Sequence, residues 1–184
     1  SESELRVSAK PEWIGEKIAF LMWWILLTPE QNSLQKRGRR MEPMSLPKDR
    51  IAGKGRRAEG FDSPAGQGIW MTLVLKPEID PNHASMITLV TALAVSKAIT
   101  DMTGRPAGIK WPNDIIMSGK KVCGILTEMS AQFDYVNHIV VGIGINVQNK
   151  SFPKDIESVA TSLFMETKEH YHRAGLVERI WEAF

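Results

Sequence analysis

Apolar positions along this chain follow two periods. Ile69-Trp70-Met71-Thr72-Leu73-Val74-Leu75 is a nearly unbroken apolar run stopped by Lys76-Pro77, which predicts a buried strand. From about His83 to Thr103 the spacing turns helical. Met86, Leu89, Val90, Leu93, Val95, Ala98 and Met102 form the predicted buried face, with Asn82 or Asp80 placed to cap the start and Gly104, followed by Pro106, to stop the end. Ile115-Ile116-Met117, the turn Ser118-Gly119-Lys120 and Val122 to Met129 predict a hairpin. Tyr135 to Val147 reads as a further long strand, and a last helix, carrying His170 and His172, is expected from about Glu166 to Phe184. The ten-residue apolar run Ile18 to Leu27 is too short to span a bilayer. No small-residue cleavage pattern follows it, so it reads as a buried strand or helix. Pro29 to Arg50 holds three prolines and little periodicity, and Ile51 to Gly68 is glycine-rich and loop-like. Strands dominate the middle, with hairpin connections and one long helix between them. The expected fold class is α+β, with a mixed, largely antiparallel central sheet flanked by helices.

Composition narrows the function classes without choosing one. The chain has 184 residues, enough for one domain with a real core, and 43% hydrophobic and 24% charged residues are ordinary for a soluble protein. A net charge of +2 is no argument for nucleic acid, although Lys36-Arg37-Gly38-Arg39-Arg40 and Lys54-Gly55-Arg56-Arg57 are locally basic. One cysteine, Cys123, excludes an internal disulfide and a multi-cysteine metal site, fits a reducing compartment, and lies in an apolar strand as a buried, inert thiol. The histidines show no metal-ligand spacing.

Three segments carry chemistry. Lys110-Trp111-Pro112-Asn113-Asp114 sits between two apolar runs. Pro112 fixes its own φ and biases Trp111 toward an extended backbone, so a strand should break into a loop here. A lysine and an aspartate held that close could serve one phosphate and its Mg²⁺, the lysine as a point charge and the carboxylate as a ligand. A surface turn with an incidental ion pair is the plain alternative. Ala52-Gly53-Lys54-Gly55-Arg56-Arg57-Ala58 matches the G-x-G-x-x-A pattern formally, but no strong strand precedes it and no helix pattern follows. Its glycines still let backbone N–H groups approach an anion, and its cations attract one; a flexible basic loop is the alternative. Gly142-Ile143-Gly144-Ile145-Asn146 closes a strand with two glycines, a sign of close approach by a ligand or of a bulge, and Asn146 offers both a donor and an acceptor to a base edge.

Taken in order, these segments resemble the catalytic domain of biotin protein ligase (biotin–[acetyl-CoA-carboxylase] ligase). The matching pieces are Ala52 to Arg57, Ser63-Pro64-Ala65-Gly66, Gly68 to Leu73, Lys110 to Asp114, Gly119 to Glu128, Gly142 to Asn146 and Ala160 to Leu163. The resemblance implies ATP-dependent activation of biotin to biotinyl-5′-AMP and transfer to a lysine of a biotin carboxyl carrier protein or domain, with Mg²⁺ as cofactor. By similarity Lys110 would contact the biotin carboxylate and the α-phosphate. Arg56, with Gly53, Lys54 and Gly55, would order over the adenylate, and Arg57, Asn113 and Asn146 would address ATP. Asp114 would hold Mg²⁺. Gly124, Ile125 and Leu126 would line the biotin pocket, with Gly142 and Gly144 beside it and Trp70 and Thr72 at its border. Arg50 stands where the family usually has a ureido-binding glutamine, and Phe61 where a tryptophan packs on the adenylate. Those two departures leave an impaired or non-catalytic biotin- or adenylate-binding homologue as an alternative, beside a lipoate–protein ligase relative. The match places the catalytic domain at residues 48–184, after a poorly matched flank at 1–47, and without the family's usual C-terminal β domain. A cytoplasmic location follows, with no DNA or membrane partner expected. Family members often dimerise through sheet edges, which makes a homodimer the expected assembly to consider.

Overall fold

The computed structural model describes residues 21–25 (backbone only), 67–75, 77, 79–132 and 135–184. Among these, six strands form one sheet in the order β1-β2-β6-β5-β4-β3. They are β1 (Leu21–Ile25), β2 (Gly68–Leu75), β3 (Gly108–Lys110), β4 (Asp114–Met117), β5 (Lys120–Gln132) and β6 (Tyr135–Asn146). Every neighbouring pair is antiparallel, and the single parallel contact is an isolated bridge from Lys121 to Ala160. The α+β expectation therefore holds. The apolar run at 18–27 contributes a strand, β1, rather than a helix.

Strands β2, β4 and β6 alternate, as does β5 after its first residues, and the alternation divides the sheet into two faces. Ile69, Met71, Leu73 and Leu75 of β2 share one face with Ile139, Val141, Ile143 and Ile145 of β6, Cys123 and Ile125 of β5 and Ile115 of β4, all buried. Helices α1 (Ser85–Thr103) and α3 (Arg173–Ala183) cover that face, and Ala92, Val95, Ala98, Ile99, Leu176, Val177 and Ile180 complete the core. Burying one isoleucine contributes about 1.5–3 kcal/mol, so this layer is the main source of stability.

Three sequence expectations need correction. On α1, Val95 and Ala98 do face the core, but Met86, Leu89, Val90 and Leu93 are 55%, 40%, 39% and 61% exposed. The helix turns Thr91, Ala92, Ala94, Val95, Ala98 and Ile99 inward instead. Its first three turns are apolar nearly all round, so periodicity does not rank the faces, and the small alanines let the helix approach closely. Counted from Pro81 to Thr103 the segment is long and apolar enough to cross a membrane, yet its inner side packs on the sheet. Asp80 caps the short 3-10 turn Pro81–His83, accepting from the Asn82 N–H at 2.8 Å, and α1 starts at Ser85; Gly104 ends it in the left-handed conformation with φ 66°. The last helix is two. Helix α2 (Leu163–Thr167) stops at Lys168, which is left-handed with φ 66°, and α3 begins after His172, whose Nδ1 accepts from the Gly175 N–H. His170 lies between them, with its Nδ1 2.9 Å from Gln148 Oε1.

Candidate functional site

The face of the sheet turned away from α1 and α3 carries most of the predicted site residues that are described. Antiparallel pairing puts partners side by side on one face. One row across the sheet is Trp70, Gly144, Gly124, Asp114 and Lys110; the next is Thr72, Gly142 and Leu126. Three glycines meet in adjacent strands, so these strands put no side chain of their own at the centre of this face, and among the described residues it forms a trough. Trp70, Thr72 and Leu126 border it and are partly exposed. A Cβ built on Gly142 meets nothing among the described residues closer than the Leu126 carbonyl oxygen at 3.7 Å, so they leave that space open. Gly68 differs: a Cβ there would come within 2.7 Å of the Trp70 ring and 2.8 Å of the Ile145 carbonyl, so this glycine is required for packing.

The cationic end of the trough departs from the sequence reading. The predicted strand break is present, as β3, a Trp111-Pro112-Asn113 turn with a cis Trp111–Pro112 peptide bond, and β4. Lys110 pairs with Asp114 across it but is exposed, at the short outer strand. The ammonium that reaches Asp114 is that of Lys121, 2.7 Å from Oδ1, with side chains 37% and 27% exposed respectively. Oδ1 is shut off from solvent and forms no aligned hydrogen bond, so the ion pair is what offsets its burial.

A bulge puts Lys121 there. Cys123 pairs with Ile115, but Ile116 pairs with Lys121, so β5 spends one extra residue, Val122. Val122 and Cys123 are consecutive and both fully buried, as an extra inward residue requires. Without the bulge Lys121 would share the core face of Cys123; with it the side chain joins the face of Asp114 and Ile116. Burial pushes the Cys123 thiol far above its ordinary pKa, in keeping with the inert thiol read from sequence.

The remaining site residues divide. Ile125 points into the core at 2% exposure, so it offers the trough only backbone. Asn113 braces β5: its Nδ2 donates to the Ile125 carbonyl at 2.7 Å, and its carbonyl accepts from the Ile125 N–H at 2.9 Å. Asn146 is 2% exposed; its Nδ2 donates to the Thr161 carbonyl at 3.0 Å, leaving Oδ1 buried without a partner. Arg50, Gly53, Lys54, Gly55, Arg56, Arg57 and Phe61 lie outside the described residues. Among the described residues no group of three or more His, Cys, Asp or Glu side chains is placed to hold a metal ion. Lys121 was missed because its placement depends on register, although Gly119-Lys120-Lys121 directly after the tight turn was a visible signal.

Comparison with known proteins agrees with this arrangement. Residues 30–146 match the biotin/lipoate A/B protein ligase family. The bifunctional ligase/repressor BirA of Bacillus subtilis is 37% identical over 189 aligned positions, covering 100% of this chain and 57% of that protein. The biotin–[acetyl-CoA-carboxylase] ligase of Paracoccus denitrificans is 38% identical over 118, covering 63% and 49%. The structure of the Aquifex aeolicus biotin protein ligase in complex with biotin and ATP superposes with a TM-score of 0.61 at 29% identity, over 72% of this chain and 54% of that one. The chain thus spans about half the length of these relatives. With its family match running from residue 30 through β2, Asp114 and the glycine trough to Asn146, the chain belongs to the biotin/lipoate A/B protein ligase family.

Proposed function

We propose that this chain activates biotin with ATP and passes it to a lysine of a biotin carrier protein domain. A biotin carboxylate oxygen would attack the α-phosphorus of ATP, forming the mixed anhydride biotinyl-5′-AMP as pyrophosphate leaves. A neutral lysine amine of the carrier would then attack the anhydride carbonyl, forming the amide and releasing AMP and the amine's proton. The observation that carries the reading is the trough made by three glycines on adjacent strands, which ends at the Asp114–Lys121 pair. Trp70, Thr72 and Leu126 offer apolar and hydroxyl contacts to the compact fused ring of biotin, and a held cation at one end suits an acid being joined to phosphate.

Roles follow from placement. Lys121, anchored on Asp114, would stabilise charge developing at phosphorus, and the exposed Lys110 would assist from the outer strand. Asn146 Oδ1 is a buried acceptor suited to an amine such as that of adenine. Asp114 is a single carboxylate, which fits Mg²⁺ carried mainly by the substrate phosphates; the ion would supply charge neutralisation there. The basic segment Gly53 to Arg57, with Arg50 and Phe61, is assigned by resemblance to closing over biotin and the adenylate. A cytoplasmic setting, where ATP and carrier proteins meet, belongs to the same proposal, as do a catalytic unit at 48–184 and a homodimer.

Calorimetric titration with biotin, then with ATP and Mg²⁺, tests it. Saturable biotin binding and pyrophosphate release dependent on both substrates are expected. Binding without release would favour the impaired homologue, and lipoate preferred over biotin would favour the other branch of the family.

A further inference from the structure

The bulge that turns Lys121 toward Asp114 has a consequence for its backbone. A bulge disrupts the local ladder. At Lys121 both backbone groups are taken up by the segment before α2: its N–H donates to the Val159 carbonyl at 2.7 Å, and its carbonyl accepts from the Thr161 N–H at 2.8 Å. This is the isolated parallel bridge to Ala160. The Lys120 ammonium adds a contact to the Glu157 carbonyl at 3.1 Å.

One side chain ties the two pieces together. Glu166, in α2, accepts from the Ser118 hydroxyl through Oε2 and from the Thr161 hydroxyl through Oε1, both at 2.6 Å. Ser118 lies in the turn just before Lys121, and Thr161 supplies the N–H on the Lys121 carbonyl. Glu166 is one residue too far along α2 to make the reciprocal capping bond to Ser162, which instead caps the helix by accepting from the Met165 N–H. Its carboxylate is thus used on tertiary contacts 48 and 5 residues away.

We propose that Glu166 is a positioning residue: by gripping Ser118 and Thr161 at once, it clamps the bulged start of β5 and holds the Lys121 ammonium on Asp114 at the end of the trough. Glu166 itself touches no substrate. Its importance for rate rests on the ligase reading above, while the clamp does not. Removing it frees the turn, the bulge gains alternative registers, and Lys121 loses its fixed approach. A displacement near 1 Å is enough to slow a positioned reaction on the order of 100-fold.

The test has two arms. Amide hydrogen exchange at Lys121 and Thr161 is compared in the wild-type protein and E166A, with Ile143 and Ile145 as controls. Exchange at least about tenfold faster at the first two, with the controls unchanged, supports the clamp; equal exchange overturns it. In the second arm, pyrophosphate release is measured with biotin and ATP. The expectation for E166A is kcat down roughly 10- to 100-fold with KM for both substrates within about threefold, partial recovery in E166Q, and no further loss when E166A is added to K121A. An unchanged kcat, or an equal loss in the K121A background, overturns the positioning role. If E166A does not fold, S118A and T161V each remove one hydroxyl and leave the carboxylate, and the same outcomes apply. A wild-type protein that releases no pyrophosphate sinks the ligase reading, and the exchange arm then decides the clamp alone.

Discussion

At the scale of single residues, two lysines compete for one role. Lys110 belongs to the conspicuous Lys-Trp-Pro-Asn-Asp block and draws attention for that reason, but it is exposed on a three-residue edge strand. Lys121 is held by an ion pair and by both of its backbone groups. A fixed cation stabilises developing charge without reorganising, whereas an exposed one must first be ordered and is screened by water. Lys121→Ala is therefore expected to slow pyrophosphate release about 100- to 1,000-fold and Lys110→Ala by roughly tenfold or less. Parallel rate measurements on the two variants decide it, and the reverse order would return the role to Lys110. Asp114, Gly124, Gly142 and Gly144, picked out from the sequence, share one face of the sheet. The sequence could not name Lys121, because the face of a strand residue after a bulge is a matter of register.

At the scale of elements, α1 shows where pattern reading loses its grip. Its limits were legible: Gly104 is the left-handed stop, and the start lies within two residues of the expected one. Its buried face was not. Between Ser85 and Ser96 the helix has no charged residue to mark the outside. Met86, Leu89, Val90 and Leu93 ended outward, and three alanines with Val95 and Ile99 inward, because the sheet surface is already filled by isoleucines and valines and accepts a close helix. Val95→Ala should cost about 1–3 kcal/mol, whereas Leu93→Gln should stay within about 0.5 kcal/mol, in urea unfolding followed by circular dichroism. Comparable losses at both positions would mean that Leu93 is covered in solution. The split of the last helix has a similar cause. Lys168 adopts a left-handed conformation that glycine usually signals, so the composition carried no stop.

At the scale of the molecule, the trough exists because four strands bring Trp70, Gly144, Gly124 and Asp114 into one row. Gly142 in the next row gives a clean probe, since a methyl group there fits the protein alone. Gly142→Ala should leave the melting temperature within about 2 °C and raise KM for biotin tenfold or more, as an occupied trough would then clash. An unchanged KM would move the biotin site elsewhere. Strands β2 and β6, the β4–β5 hairpin with its turn at Ser118-Gly119 and the end of α1 were determined by the sequence, because each depends on interactions within a few residues: side-chain alternation, positive φ, and the lack of a Cβ. Which face of α1 is buried, which lysine meets Asp114 and how the segment at 159–161 locks β5 were decided only by tertiary structure. Those outcomes depend on strand register and on partners tens of residues apart, and a one-residue shift in pairing would reverse them.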